Sequence, residues 1–282
     1  MQEGYPVKLV CRMMKISRSS YYDWLVRPAT IISENELKLY RRTKQLFAAS
    51  RNSLGSRELV KNLRKEGFEI GRYKVIKIME KLKLTVTQRV AYKVTTQRNK
   101  KHGVADNLVN MDFNPKVPNQ VWAGDITYLK TPQGWMYLSI VMDLYSRRII
   151  GWSMDKRMTT GLIMKSIQQA YWLRKPAEGV IFHSDRGSQY TSKRFNKLLK
   201  KLKITASMGD VGACWDNAVV ERFFGSLKHD WLFKVHHPTR ESMMLDVTAY
   251  MRYYNLERLH TANGNMSPVE YELWKDAVSI FA

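Results

Sequence analysis

The sequence predicts an α/β protein built on a mixed five-stranded sheet flanked by helices and preceded by all-α modules. Three observations carry that prediction. The run Val180-Ile-Phe182 is short and apolar and ends on polar His183-Ser184-Asp185, as a buried strand does where it leaves a sheet. Upstream, residues 121–154 read as three strands rich in Val, Trp, Ile, Thr and Tyr, the first two joined by the turn signal Thr131-Pro-Gln-Gly134. Downstream, Val219, Val220, Phe223, Phe224 and Leu227 recur at helical spacing. An antiparallel meander followed by alternating helix and strand mixes both kinds of pairing in one sheet.

In chain order, residues 1–30 hold two short helices over 6–26 that turn at Lys15–Ser20, with Ser17 as an N-cap. The segment 31–84 reads as a helix-turn-helix module. Its first helix, near 33–50, opens with the capping pair Ser33 and Glu36. Two more helices follow at 57–66 and 72–83, separated by Gly67 and Gly71. Leu59, Leu63, Val75, Ile76, Met79 and Leu82 form their apolar side; Arg57, Lys61, Arg64, Lys65, Arg72, Lys74, Lys77 and Lys81 lie opposite. Residues 85–118 are polar and basic and close on Pro115 and Pro118, a linker suited to lie along a phosphate backbone. The core, 119–235, carries strands at 121–130, 135–143, 147–154, 179–184 and 204–208, with helices near 159–173 and 192–202. A C-terminal helical extension, 236–282, begins with a helix from about Glu241, and Met266-Ser-Pro268 is expected to close that unit.

Composition narrows the function. There are 47 Lys and Arg against 25 Asp and Glu, a formal charge of +22, with the excess mainly in the first 110 residues. That balance favours a polyanionic partner, nucleic acid before membrane. Cys11 and Cys214 stand alone, with no CxxC or HxxxH companion, which excludes an obvious zinc module or disulfide framework and fits a reducing cytoplasm. No apolar run approaches the length of a membrane span, and there is no secretory signal.

Three acids carry the candidate chemistry. Asp125 falls mid-strand among residues that otherwise want a core, where a carboxylate is costly unless it is paired or binds metal. Asp185 sits at the carboxyl edge of its strand, where open α/β sheets place ligands. Glu221 lies beside the apolar stripe of its helix, with Asn217 and Lys228 on the same face. Carboxylates from two strands and a helix are hard oxygen donors suited to Mg²⁺ or Mn²⁺. Two such ions about 4 Å apart serve in-line phosphoryl transfer.

The blocks Trp122-Ala-Gly-Asp125-Ile-Thr-Tyr-Leu, His183-Ser-Asp185-Arg-Gly-Ser-Gln-Tyr-Thr-Ser, Asp216-Asn-Ala-Val-Val-Glu221-Arg-Phe-Phe-Gly-Ser-Leu-Lys and Tyr254-Asn-Leu-Glu-Arg258-Leu-His260 stand in order. Together they resemble the DDE transposases of the second-frame (OrfB) type in the insertion-sequence-three family, whose core is similar to that of retroviral integrases. The resemblance runs strongly from Val104 to Glu272. It implies a ribonuclease H-like catalytic core at 119–235 and a transposase that cleaves and joins DNA with two metal ions. It also implies element ends and target DNA as partners, a homo-multimer on DNA, and fusion with or dependence on an upstream-frame protein. The expected location is the bacterial cytoplasm, at the nucleoid. Where the family usually carries Tyr-Gly at the head of its second helical hairpin, this chain has Leu54-Gly55, and the zinc module of retroviral integrases has no counterpart.

Catalysis and metal binding are thus expected at Asp125, Asp185 and Glu221. DNA contact is expected at Arg57, Lys61, Arg72, Lys74 and Lys77, at Asn217 and Lys228 beside the triad, and at Asn255 and Arg258. The rival readings are a ribonuclease H-like nuclease that hydrolyses without joining, and a DNA-binding protein with a silent catalytic fold.

Overall fold

The computed structural model describes residues 5–26, 32–86, 105–109, 114–209 and 218–280. Most of the linker, together with Cys214, Asp216 and Asn217, lies outside them. Two short helices come first, α1 (Val7–Met13) and α2 (Arg18–Val26). The backbone amide of Ser20 donates to Ser17 Oγ at 3.0 Å, the expected cap. Next come α3 (Glu34–Ala49), α4 (Ser56–Lys65) and α5 (Arg72–Lys81). Ser33 Oγ accepts from Glu36 N at 3.2 Å, whereas the Glu36 carboxylate takes the Tyr40 hydroxyl instead of returning to the cap. Leu39, Phe47, Leu59, Leu63, Val75 and Ile78 close a separate apolar cluster among these three helices.

The sheet has the order β3-β2-β1-β4-β5. Its strands are β1 (Val121–Thr131), β2 (Gly134–Asp143), β3 (Arg148–Asp155), β4 (Ile181–Ser184) and β5 (Thr205–Met208). The first three pair antiparallel; β4 joins β1 in parallel and β5 joins β4 in parallel. Gly134, at φ 108°, takes the left-handed conformation that turns β1 into β2 after Pro132-Gln133, a conformation that favours glycine. Between β3 and β4 runs α6 (Thr160–Arg174), and α7 (Lys193–Lys201) separates β4 from β5.

Each face of the sheet buries its own core. On one side, Trp122, Val141, Ile150 and Phe182 meet Ile163, Ile167, Phe195 and Leu199 from α6 and α7. On the other, Leu129, Met136, Leu138 and Ile140 meet Val220, Phe223 and Phe224 of α8 (Ala218–Ser226), and Val247, Tyr250 and Tyr254 of α9 (Arg240–Leu256). A π-helical turn, Leu227–Trp231, continues α8 directly. The antiparallel meander with two parallel strands added on one side, helices covering both faces, is the ribonuclease H-like architecture. No helix among the described residues is long and apolar enough to cross a membrane.

One expectation is corrected. Met266-Ser-Pro268 does not close the C-terminal unit; it opens a further helix, α10 (Pro268–Ile280). Proline lacks only an amide that the first helical turn leaves unbonded anyway. Ser267 Oγ accepts from Glu270 N at 3.4 Å, and the Glu270 carboxylate accepts from Ser267 N at 3.3 Å. The capping signal Ser267-x-x-Glu270 outweighs the stop signal.

Candidate active site

Asp125 and Asp185 come from neighbouring strands in one register. The β1–β4 ladder pairs Ala123 with His183, and each acid stands two residues further on, one step past the last pair. Two residues is one full strand period, so Asp125, still within β1, keeps the face of Ala123, which packs against α8, and Asp185 is the first residue after β4. Strands in a sheet are about 4.8 Å apart. Both acids therefore lie toward the same open end of the β1–β4 seam.

Close backbone packing makes this approach possible. A Cβ on Gly124 would come nearer than 3.0 Å to two atoms of the Phe182 ring, so only glycine lets β1 lie so tightly against the β4 side chain. Local amides then orient the acids. The Ile126 N–H donates to Asp125 Oδ1 at 2.7 Å, and the Gly187 N–H donates to Asp185 Oδ1 at 2.9 Å. Arg186 turns away from the pair, its Nε donating to the Gly209 carbonyl at 2.7 Å. His183 is buried in the sheet, its Nδ1 3.0 Å from Ser207 Oγ, and so supports the strand end.

Tyr190 walls the site and was given no role by the sequence. It is 2% exposed and packs against the rings of Phe182 and Phe195. Burial, and the negative charges of Asp125 and Asp185 behind it, push its phenol well above the usual tyrosine range. The motif Gly187-Ser-Gln-Tyr190 was visible, but only the fold brings that ring back to the acids.

Lys228 stands on the other side of Asp125. Its Nζ lies 4.7 Å from the centroid of the Tyr128 ring. Burial lowers its pKa, while Tyr128 and Asp125 act in the opposite direction. A lysine held partly dry beside a carboxylate can meet a phosphate at low desolvation cost. Glu221 is exposed on α8, and among the described residues no three His, Cys, Asp or Glu side chains gather closely enough to hold a metal. The register sets Asp125 and Asp185 at one end of the β1–β4 seam, and Glu221 stands on the helix that packs against β1. Asn217 lies outside the described residues.

The other expected DNA contacts divide. Arg57, Arg72, Lys74 and Lys77 are exposed on α4 and α5; Lys61 is half-buried and bonds Glu58 at 3.1 Å, and Lys77 bonds Glu80 at 3.1 Å. Asn255 and Arg258 both bond within the protein. Asn255 closes a double hydrogen bond with the backbone of Ile149, Oδ1 accepting from N and Nδ2 donating to O, each at 2.9 Å. That double bond ties α9 to β3. Arg258 is half-buried and reaches Ser226 Oγ at 3.1 Å and Asp230 Oδ2 at 3.2 Å, tying the end of α9 to the π-helical turn. Both hold the scaffold together in this structure.

Fold and site together define an integrase-type polynucleotidyl transferase core preceded by a helical DNA-binding module. Residues 115–214 and 202–268 match Integrase core domain families, and residues 34–92 match an HTH-like domain. The transposase InsF for insertion sequence IS3A from Escherichia coli K12 is 37% identical over 276 residues, covering 96% of this chain and 95% of its own. An insertion element IS600 31 kDa protein from Shigella sonnei is 33% identical, covering 93% and 97%. The chain belongs to the IS3 family of insertion-sequence transposases. It is therefore an enzyme of DNA transposition, and the readings as a simple nuclease or a silent DNA-binding protein are disfavoured. Among solved structures, a chain of the simian T-cell lymphotropic virus intasome aligns at 17% identity and TM-score 0.49, covering 81% of this chain and 73% of its own. The HTLV-2 integrase catalytic core in complex with magnesium aligns at 20% and 0.45, covering 55% and 97%.

Proposed function

We propose that Asp125, Asp185 and Glu221 form the acid triad of this transposase and hold Mg²⁺ or Mn²⁺, two ions per site. The observation that carries this reading is the shared register of Asp125 and Asp185 at the open end of the β1–β4 seam. Their oxygens suit a hard cation, and unneutralised carboxylates so close repel one another. Glu221, exposed on the helix that covers the same face, is the remaining carboxylate of the set. A bound divalent ion supplies positive charge that offsets this repulsion and polarises phosphoryl oxygens.

The chain's own residues then have distinct tasks. Lys228 neutralises a phosphate beside Asp125. Tyr190 keeps bulk water out of the floor between the two acids. Arg57, Lys61, Arg72, Lys74 and Lys77 hold the DNA duplex against α4 and α5. The reaction is in-line attack on phosphorus, by water and then by a 3′-hydroxyl, with no covalent protein–DNA intermediate. Element ends and target DNA are the substrates, and the working form is a homo-multimer on paired ends in the bacterial cytoplasm. The upstream-frame protein contributes to recognising those ends.

A strand-transfer assay on labelled element ends with Mg²⁺ or Mn²⁺ tests this reading. Joined products should form with the wild type and vanish in Asp185→Asn and Glu221→Gln. Full joining by Glu221→Gln would remove that residue from the triad. Full joining by Asp185→Asn would overturn the site altogether.

A further inference from the structure

The β1–β2 hairpin carries an aromatic surface beside the acids that phosphoryl transfer itself does not need. Tyr128 and Trp135 meet edge to face, with ring centroids 5.3 Å apart and planes at 83°. Both are open to solvent, Tyr128 at 38% and Trp135 at 45%. Lysines bracket the pair. Lys130, directly opposite Trp135 in the β-ladder, places Nζ 5.9 Å from the indole, and Lys228 lies over Tyr128. The order across the surface is Lys228, Tyr128, Trp135, Lys130.

We propose that Tyr128 and Trp135 form a stacking platform for unpaired bases at the end of the DNA strand being processed, with Lys130 and Lys228 holding its phosphates. Duplex DNA keeps its base faces stacked and shows a protein only groove edges and phosphates. An exposed aromatic face is therefore useful only to a base that has left the stack. Aromatic rings interleaved with cations are how single-stranded nucleic acid is held without sequence readout. The placement fits as well. Three residues along β1 put the Tyr128 and Asp125 side chains on opposite faces of the strand, but this stretch of β1 runs on past its last β4 partner, and Lys228 joins the two: its ammonium lies over the Tyr128 ring and feels the Asp125 charge. A strand end held at Lys228 therefore borders both. Cross-strand aromatic pairs and cation–π contacts also stabilise hairpins, but that contribution does not require both rings to stay open to solvent between two lysines. The inference rests on the reading of Asp125 and Asp185 as the reacting site.

Fluorescence anisotropy with labelled duplexes tests it, comparing a blunt end, a three-nucleotide 3′ overhang and an abasic overhang of equal length. The wild type should bind the intact overhang about tenfold more tightly than the blunt end, the scale of one stacked base. The abasic overhang should bind like the blunt end. Trp135→Ala and Tyr128→Ala should bring the ratio close to one at unchanged blunt-end affinity, and Trp135→Phe should keep most of it. Equal weakening on blunt and overhang ends, or an abasic overhang that binds as well as the intact one, overturns the platform. The abasic comparison needs only the wild type, so it decides the matter even if Trp135→Ala fails to fold. Asp185→Asn should keep the overhang preference while losing cleavage. Cleavage retained in that variant would sink the active-site reading, whereas an overhang ratio untouched by Trp135→Ala would sink only the platform.

Discussion

The guanidinium of Arg51 lies 4.2 Å above the Trp231 ring and donates to the Trp231 carbonyl oxygen at 3.2 Å. Arg51 follows α3 in the helical module; Trp231 ends the π-helical turn that continues the Glu221 helix and carries Lys228. Asp246 on α9 completes the junction. It accepts from both terminal nitrogens of Arg51, from Trp231 Nε1 at 2.9 Å, and pairs with His237 Nε2 at 2.7 Å. Burial pushes the Asp246 carboxyl up, but these hydrogen bonds outweigh it and hold it below the usual range. The module that holds DNA is thus braced against the turn that positions Lys228.

Arg51→Ala should therefore cost about 2 kcal/mol of stability, because it leaves a mostly buried carboxylate short of its main partner. Strand transfer should fall more than DNA affinity does, since Arg51 itself faces the protein. Chemical denaturation of the single variants and of Arg51→Ala with Asp246→Asn measures the coupling. Additive losses would mean that the junction is incidental.

Simultaneous Arg72→Ala, Lys74→Ala and Lys77→Ala should weaken DNA binding evenly across sequences. The slope of log affinity against log salt should flatten by about one unit per lost phosphate contact. All three side chains are exposed on α5, so the thermal midpoint should hardly move. An unchanged slope would take DNA off this helix.

The sequence made the five strands, the helical module and the acids readable because each rests on local pattern. Alternation marks the strands, Ser33 and Ser192 mark helix starts, and the polar edge after Phe182 marks Asp185. The scaffold bonds of Asn255 and Arg258 were not legible because their partners are not local. The Ile149 backbone is 106 residues from Asn255, and no spacing rule reveals it. The Arg51–Asp246 junction spans 195 residues for the same reason. The start of α10 was different: Ser267-Pro268-x-Glu270 was present in the sequence, and its proline was read as an end instead of a first turn.

Gly124→Ala should separate the acids. The new methyl would press into the Phe182 ring, and Phe182 lies three residues before Asp185. Overpacking of this kind costs about 1–3 kcal/mol. Because the strain falls on the β1–β4 seam, cleavage should drop further than stability alone explains. Phe182→Leu in the same chain should recover part of both. Full activity with Gly124→Ala alone would show that the seam tolerates opening.

Asp143 and His260 should give opposite pH dependences that nearly cancel. Asp143 is fully buried, and desolvation raises its carboxyl from 3.8 to about 6, against the Arg174 guanidinium and the amides of Asn119 and Tyr145. Between pH 4 and 6 the folded protein keeps this proton while the unfolded chain has lost it. Asp143 therefore makes stability fall as pH rises through that window. His260 is half-buried, and desolvation, with Arg258 and Arg147 nearby, lowers it from 6.5 to about 4. Here the unfolded chain binds the proton first, so stability rises with pH between 4 and 6.5. Each contribution is on the order of 2–3 kcal/mol. Urea unfolding at several pH values should show the difference between wild type and Asp143→Asn changing with pH in one direction, and that for His260→Gln in the other. Glu272, held below its ordinary range by Arg174 despite burial, adds a loss of stability as pH falls below about 4.5, at the acid end of the window, and shares Arg174 with Asp143. Differences that stay constant from pH 4 to 6.5 would mean that neither group titrates differently in the folded protein.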